Sequence, residues 1–123
     1  MNQKRYLQLS FFLLGLSVAL GAMGAHALEK SISPKALATF HTGIRYFTYH
    51  SLAILLMASN KILLLNLKWT KRLIFLGMIF FSGNCTLYAL TEIKTFAMLV
   101  PIGGFSFIFG WIAAIIEIKK LSD

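Results

Sequence analysis

Four apolar stretches organise the chain, at residues 6–28, 46–67, 73–91 and 95–116, with polar connections between them. Three of them hold no Asp, Glu, Lys or Arg, and the stretch 46–67 holds only Lys61. At about 1.5 Å of rise per residue, each is long enough as a helix to cross a hydrocarbon core of roughly 30 Å. The pattern predicts an all-α polytopic membrane protein, a four-transmembrane-helix bundle occupying one domain, 1–123. The connections 66–71 and 92–94 are short, so the second, third and fourth spans should be antiparallel neighbours.

The first connection is longer and has a helical pattern of its own. Ser33 suits an N-cap and Pro34 the first helical position, where its missing N–H costs nothing. Ala36, Leu37, Phe40, Ile44 and Phe47 fall within one arc of about 100°, and Lys35, Thr39, His41, Thr42 and Arg45 lie outside it. This predicts a short amphipathic helix before the second span, bending into it at Gly43.

Charge then orients the bundle. Lys4, Arg5, Lys61, Lys68, Lys71, Arg72, Lys119 and Lys120 fall on one side of the expected membrane, against Lys30, Lys35, Arg45 and Lys94 on the other. The positive-inside rule places both termini in the cytoplasm. Trp69 and Trp111 fall toward the inner interface and Tyr46, Tyr49 and Tyr88 toward the outer one. Lys61 is expected to snorkel inward to headgroups. The net charge of +8 would suggest nucleic acid in a soluble protein, but here the cations sit at span ends, so no nucleic-acid partner is expected.

The first span also imitates a secretory signal, with Lys4 and Arg5 before an apolar run at 7–20 and Ala25-His26-Ala27 as an A-x-A site. Its spanning length and its many small residues favour a retained helix packed against others. Small residues supply packing in lipid because apolar side chains gain nothing by burial against one another. Gly21, Gly24, Gly83, Gly103, Gly104 and Gly110 are therefore read as packing positions. Pro101, with Gly103 and Gly104 after it, predicts a kink or local unwinding of the fourth span.

Candidate chemistry gathers toward the outer side. His26 ends the first span; His41, Arg45, Tyr46, Tyr49 and His50 begin the second; Ser82 and Asn84 lie in the third. Arg45 can hold a phosphate or carboxylate, or snorkel to headgroup phosphates. Tyr46 and His50, four apart, can form a structural hydrogen bond or a proton-handling pair. Asn84 must be bonded inside the bundle or face water, because an unbonded amide in hydrocarbon costs several kcal/mol. A shallow outer pocket closed below by Leu55 and Phe80 is expected. His41 and His50 are nine residues apart, half a turn out of phase on a straight helix, so one metal ion could not bridge them. Glu29, Glu92, Glu117 and Asp123 all lie at span ends or tails, which leaves no intramembrane carboxylate for proton relay. Neither enzyme chemistry nor a cofactor is expected. Cys85 is the single cysteine, so no intramolecular disulfide forms.

Four clusters in order carry a resemblance: Gly21-Ala22-Met23-Gly24-Ala25-His26-Ala27-Leu28; Thr42-Gly43-x-Arg45-Tyr46-x-x-Tyr49-His50-x-Leu52-Ala53; Phe81-Ser82-Gly83 with Ala89-Leu90-Thr91; and Pro101-Ile102-Gly103-Gly104 with Gly110-Trp111. In these the chain resembles the small bacterial membrane proteins of domain of unknown function 423, which are related to mammalian transmembrane protein 256. The resemblance covers nearly the whole chain and implies a four-helix membrane protein with an uncleaved first span, but no reaction. Met23 stands where relatives usually have Phe, and Tyr88 is the aromatic near Thr86. Glu92 stands where glycine is common, so the tight turn there is expected to be made otherwise.

The functional expectation is an accessory or interaction protein of the membrane. Its partners would be the lipid bilayer and another membrane protein or a second copy of itself, met through the outward polar cluster. The alternative is a small transporter or channel subunit with an outer vestibule and Pro101 at its gate.

Overall fold

A computed structural model of the protein describes residues 1–121, and Asp123 of the expected C-terminal tail lies outside them. The described residues contain helices and no strand: α1 (Gln3–His26), a 3-10 turn (Leu28–Lys30), α2 (Pro34–Ser59), α3 (Lys61–Asn66), α4 (Lys68–Gly77), a π-helical segment (Met78–Gly83), α5 (Asn84–Thr91) and α6 (Lys94–Lys119). The π segment joins α4 to α5 in one rod, Lys68–Thr91. Three helices are long and apolar enough to cross a membrane: Gln3–Lys30, Lys68–Thr91 and Lys94–Lys119.

α2 departs most from the expected layout. No amphipathic helix stands apart from it and no break occurs at Gly43; one helix runs from Pro34 to Ser59. Its start is as expected, with the Ser33 hydroxyl accepting from the Ala36 N–H and Pro34 following the cap. Gly43 serves close approach instead of bending: a Cβ there would lie 2.6 Å from Cys85 Cβ. The helix also ends eight residues earlier than the apolar run. Asn60 is extended (φ −118°, ψ 114°), and its Oδ1 accepts from the Ile62 and Leu63 N–H groups, capping α3. An amide oxygen that satisfies two orphan donors stops one helix and starts the next, even inside an apolar run. Lys61 is therefore at the start of α3 and not inside a span.

Glu92 closes the rod. It adopts the left-handed conformation itself (φ 54°, ψ 21°), so the turn uses the geometry a glycine would have supplied, without the glycine. Its carboxylate accepts from the Ser33 hydroxyl at 2.6 Å, tying this turn to the start of α2. At the opposite end the Gln3 side chain donates to the Ala58 carbonyl, and the Lys71 ammonium lies 5.0 Å from the centre of the Tyr6 ring. The two ends of the bundle are called below the Glu92 end and the Glu117 end.

Packing is built from small residues, as lipid-exposed helices require, but at particular positions. α1 buries Ser10, Ser17 and Gly24, seven residues apart and so on one face. A Cβ at Gly24 would meet the Phe40 ring of α2 at 2.7 Å. Between the rod and α6, glycines alternate sides. Gly103 of α6 faces the Phe80–Phe81 backbone, Gly77 of α4 receives the Phe107 ring, and Gly110 of α6 lies against Leu73 and Ile74. Ser106 donates to the Leu73 carbonyl at 2.6 Å along the same seam. Gly21 and Gly83 have no neighbour within 4 Å of a built Cβ, and Gly104 only ordinary contact with the Phe81 ring at 3.8 Å.

The irregular backbone is across the seam from where it is expected. α6 carries Pro101 without interruption, and the loosened turns are Met78–Gly83 of the rod, against Gly103. A π-turn widens the helix and leaves carbonyls poorly served. Asn84 answers one of them, its amide donating to the Phe80 carbonyl at 2.6 Å.

Candidate functional site

The expected site residues separate into three environments. Tyr46 and His50 meet Phe81, Phe107 and Trp111 in an aromatic groove between α2, the rod and α6, which encloses about 260 Å³. The His50 ring stacks on Phe107 with centroids 3.6 Å apart and planes 11° apart, and Tyr46 meets Phe81 at 4.8 Å. Both nitrogens of His50 are engaged. The Trp111 indole N–H donates to Nε2 at 3.1 Å, and Nδ1 lies 2.7 Å from the Tyr46 carbonyl. An indole can only donate, so Nε2 presents its lone pair, and the proton of a neutral ring is on Nδ1, donated to that carbonyl. His50 is thus a neutral tie between α2 and α6. It bonds to the backbone of Tyr46 and not to its phenol.

Helix ends set the depth of this pair. His50 is sixteen residues beyond Pro34 and nine before Ser59, and Trp111 eight before Lys119, so both lie nearer the Glu117 end. The expected place of His50, at the outer mouth of a span starting near residue 46, changes because α2 starts at Pro34. The expected floor changes as well. Phe80 is 39% exposed on the surface, and the stacked rings of His50 and Phe107 fill the section instead.

Ser82 and Asn84 form the second environment. Both are buried and both are occupied with backbone: the Ser82 hydroxyl donates to the Gly43 carbonyl at 2.7 Å, and Asn84 to Phe80 as above. Among the described residues, no buried side-chain nitrogen or oxygen lacks a hydrogen-bond partner. His26, Arg45 and Tyr49 form the third environment and are exposed. His41 is half-buried against Gly24, on a different face of α2 from His50.

Two features were not legible from the motifs. One is a cleft of about 390 Å³ at the Glu92 end, lined by Lys35, Thr39, Tyr88, Lys94, Ala97 and Met98. It forms where the starts of α2 and α6 flank Tyr88 of α5, and the signal available was that Lys35 and Lys94 each begin a helix at the same end. The other is Glu117, whose Oε1 accepts from the Trp69 N–H at 2.9 Å. Its Oε2 accepts from the Thr70 N–H at 3.1 Å and from the Thr70 hydroxyl at 2.8 Å. It caps α4 from another helix, where Leu67 before α4 offers no side-chain cap.

Comparison with known proteins now places the chain. The family described as "Protein of unknown function (DUF423)" matches residues 20–104. The chain belongs to this family. A UPF0382 membrane protein of Staphylococcus haemolyticus is 37% identical over 116 residues, which is 89% of this chain and 95% of the relative. The UPF0382 membrane protein YwdK of Bacillus subtilis is 36% identical over 118 residues, covering 89% and 96%. The UPF0382 inner membrane protein YgdD of Escherichia coli is 35% identical over 106 residues, covering 85% and 81%. No solved structure matches. The family match covers the aromatic groove as far as Gly104, both serine and asparagine ties of the rod, and the Gly24 and Gly103 contacts.

Proposed function

We propose that this is a four-span inner-membrane protein with both termini in the cytoplasm, acting as an accessory protein that recognises another membrane protein at its Glu92 end. α2 is the fourth crossing. Its 26 residues span about 39 Å, and its two ends are tied to the Glu92 turn and to Gln3, the two ends of its neighbours. Its polar side chains lower its hydropathy without shortening it. The inner-membrane name of the Escherichia coli relative and the excess of cations at the Glu117 end support the location. Reporter fusions after Asp123 and within the 92–94 turn test this. A periplasmic C-terminus or a cytoplasmic Glu92 turn overturns it.

One observation carries the accessory reading: the interior polar groups are spent on the protein's own backbone, while an open cleft at the Glu92 end presents two lysines. Ser82, Asn84 and His50 each hold the fold together, and no hydroxyl–base pair or carboxylate is among them. Lys35 and Lys94 line the cleft with Thr39 and Tyr88, and no acid lines it, which suits an acidic segment of a partner. A photo-crosslinker at Met98, used in native membranes, should give an adduct that the double charge reversal K35E/K94E removes. No adduct, or one that survives the reversal, overturns the reading; an adduct of twice the protein's own mass makes the partner a second copy. Transport is the less favoured function, because stacked His50 and Phe107 close the section that a solute would have to pass.

A further inference from the structure

We propose that the Glu117 end holds the headgroup of an anionic phospholipid, with one acyl chain laid in the groove between α1 and the Lys68–Thr91 rod. Two clefts of about 350 and 190 Å³ adjoin there, sharing Tyr6, Lys68 and Lys71; Lys61 lines the first and Arg72 the second. Four cations thus converge on one hollow between the start of α1, α3 and α4. The one acid at this end among the described residues is Glu117, and its oxygens are occupied in capping α4. One carboxylate, near enough to Lys71 to interact with it, leaves the four cations in excess, and a phosphodiester would supply further counter-charge.

The hollow is also held in shape. Lys71 donates to the Leu64 carbonyl and lies over the Tyr6 ring, so its ammonium is fixed with N–H groups to spare. The Arg72 guanidinium lies 5.1 Å from the centre of the Trp69 ring, which is 60% exposed, as an indole at headgroup level would be.

A separate apolar hollow lies along the same two elements, and the proposed chain would run from the headgroup clefts to it. Further from the headgroup end, Leu16 and Leu20 of α1 face Met78, Thr86 and Leu87 of the rod across an open hollow of about 350 Å³ floored by Phe47. From Arg72 to Leu87 is about 22 Å along the rod, enough for a chain reaching past the middle of a core roughly 30 Å thick. Gly83 borders this groove with no neighbour within 4 Å of a built Cβ, so the space is there to be filled.

The site lies at the opposite end from the recognition cleft, and either can fail alone. The test titrates purified full-length protein in detergent with phosphatidylglycerol, phosphatidylcholine or glycerol phosphate, reading bound lipid by native mass spectrometry and thermal stability alongside. Phosphatidylglycerol should bind and stabilise, and the other two should not. The double variant K68Q/R72Q should weaken binding about thirtyfold, from about 1 kcal/mol per cation, with stability in the absence of lipid unchanged. Thr86→Trp should weaken long-chain phosphatidylglycerol and spare the dihexanoyl form. Equal binding of the two phospholipids, or K68Q/R72Q binding like the parent, overturns the site. Glycerol phosphate binding as well as phosphatidylglycerol, or Thr86→Trp leaving the long-chain lipid unaffected, overturns the acyl groove.

Discussion

The seam between α1 and α2 and the seam between the rod and α6 are both made by small residues, yet the tightest glycine of each meets a different kind of atom. On the first, Gly24 faces the edge of a ring: Phe40 carbons at 2.7 and 2.9 Å from a built Cβ, and His41 Cε1 at 3.1 Å. On the second, Gly103 faces main chain: Phe81 N, and Phe80 C at 2.6 Å from a built Cβ. A ring can rotate away at the cost of a rotamer, whereas helix backbone moves only with its hydrogen bonds. The number of glycines in a span therefore says little. What the glycine touches decides.

The sharpest way to break the comparison is at Gly103 and its neighbour. Gly103→Leu should prevent assembly of the rod on α6, because the side chain has to displace the π-segment backbone. Gly104→Leu should cost little, since its Cβ meets only the Phe81 ring at 3.8 Å. Thermal unfolding and size-exclusion profiles in mild detergent separate them. Similar stability of the two variants would mean that the rod and α6 are not in this register.

Gly24→Leu comes next, with an expected loss of about 1–3 kcal/mol as Phe40 and His41 shift and α1 loosens. Gly21→Leu, three residues away with open space around it, is the control and should remain within about 0.5 kcal/mol. Equal losses would place α1 on a different face. If Gly24→Leu costs as much as Gly103→Leu, the distinction between ring and backbone contacts fails.

How much of this was legible in the sequence follows the same division. Hydropathy marked the helices whose composition suits a bilayer along their whole length, α1, the rod and α6, because a bilayer selects composition residue by residue. It misplaced α2, whose run of lysine, threonine, histidine, arginine and tyrosine side chains before residue 51 lowers its hydropathy, and it read through Asn60, where one side-chain oxygen outweighs the apolar run around it. Ser33 and Pro34 were readable because capping is local chemistry. The partner of Gly103 was not, since it depends on which turn of another helix arrives opposite. Pro101 attracted the expectation of unwinding, while the π-turn has no such marker and runs through Met78, Ile79, Phe80 and Phe81, residues that suit any membrane helix. Among the site residues, the spacing of Tyr46 and His50 suggested a side-chain pair, but His50 bonds to the Tyr46 carbonyl, and the two rings share the groove. Trp111, sixty-one residues on from His50, had no signal linking it to them.

At the ends of the seams the two glutamates do different work, and Glu117 should matter more. Glu117→Ala removes the acceptor for two backbone N–H groups and a hydroxyl at the start of α4. Such a cap is worth about 1–2 kcal/mol, and α6 loses one of its ties to α4 with it. Glu117→Gln keeps one acceptor oxygen and should recover about half of the loss. Amide exchange at Trp69 and Thr70 reads the cap directly: protection should fall in Glu117→Ala, and unchanged protection would show that water serves those N–H groups equally well.

Glu92 should give the smallest net effect, because two opposed terms meet in one residue. Its left-handed backbone costs a side-chain-bearing residue about 1–2 kcal/mol, which glycine would relieve, less about 0.5–1 kcal/mol for glycine's greater loss of freedom on folding. Against that, its carboxylate accepts from the Ser33 hydroxyl, an exposed bond worth about 0.5–1 kcal/mol. Glu92→Gly should therefore leave stability nearly unchanged, while Glu92→Ala keeps the strain, loses the bond and should melt earlier than either. Ser33→Ala should cost more than Glu92→Gly, since it removes the cap of α2 as well as the bond. If Glu92→Ala and Glu92→Gly unfold at the same temperature, the left-handed turn stores no strain.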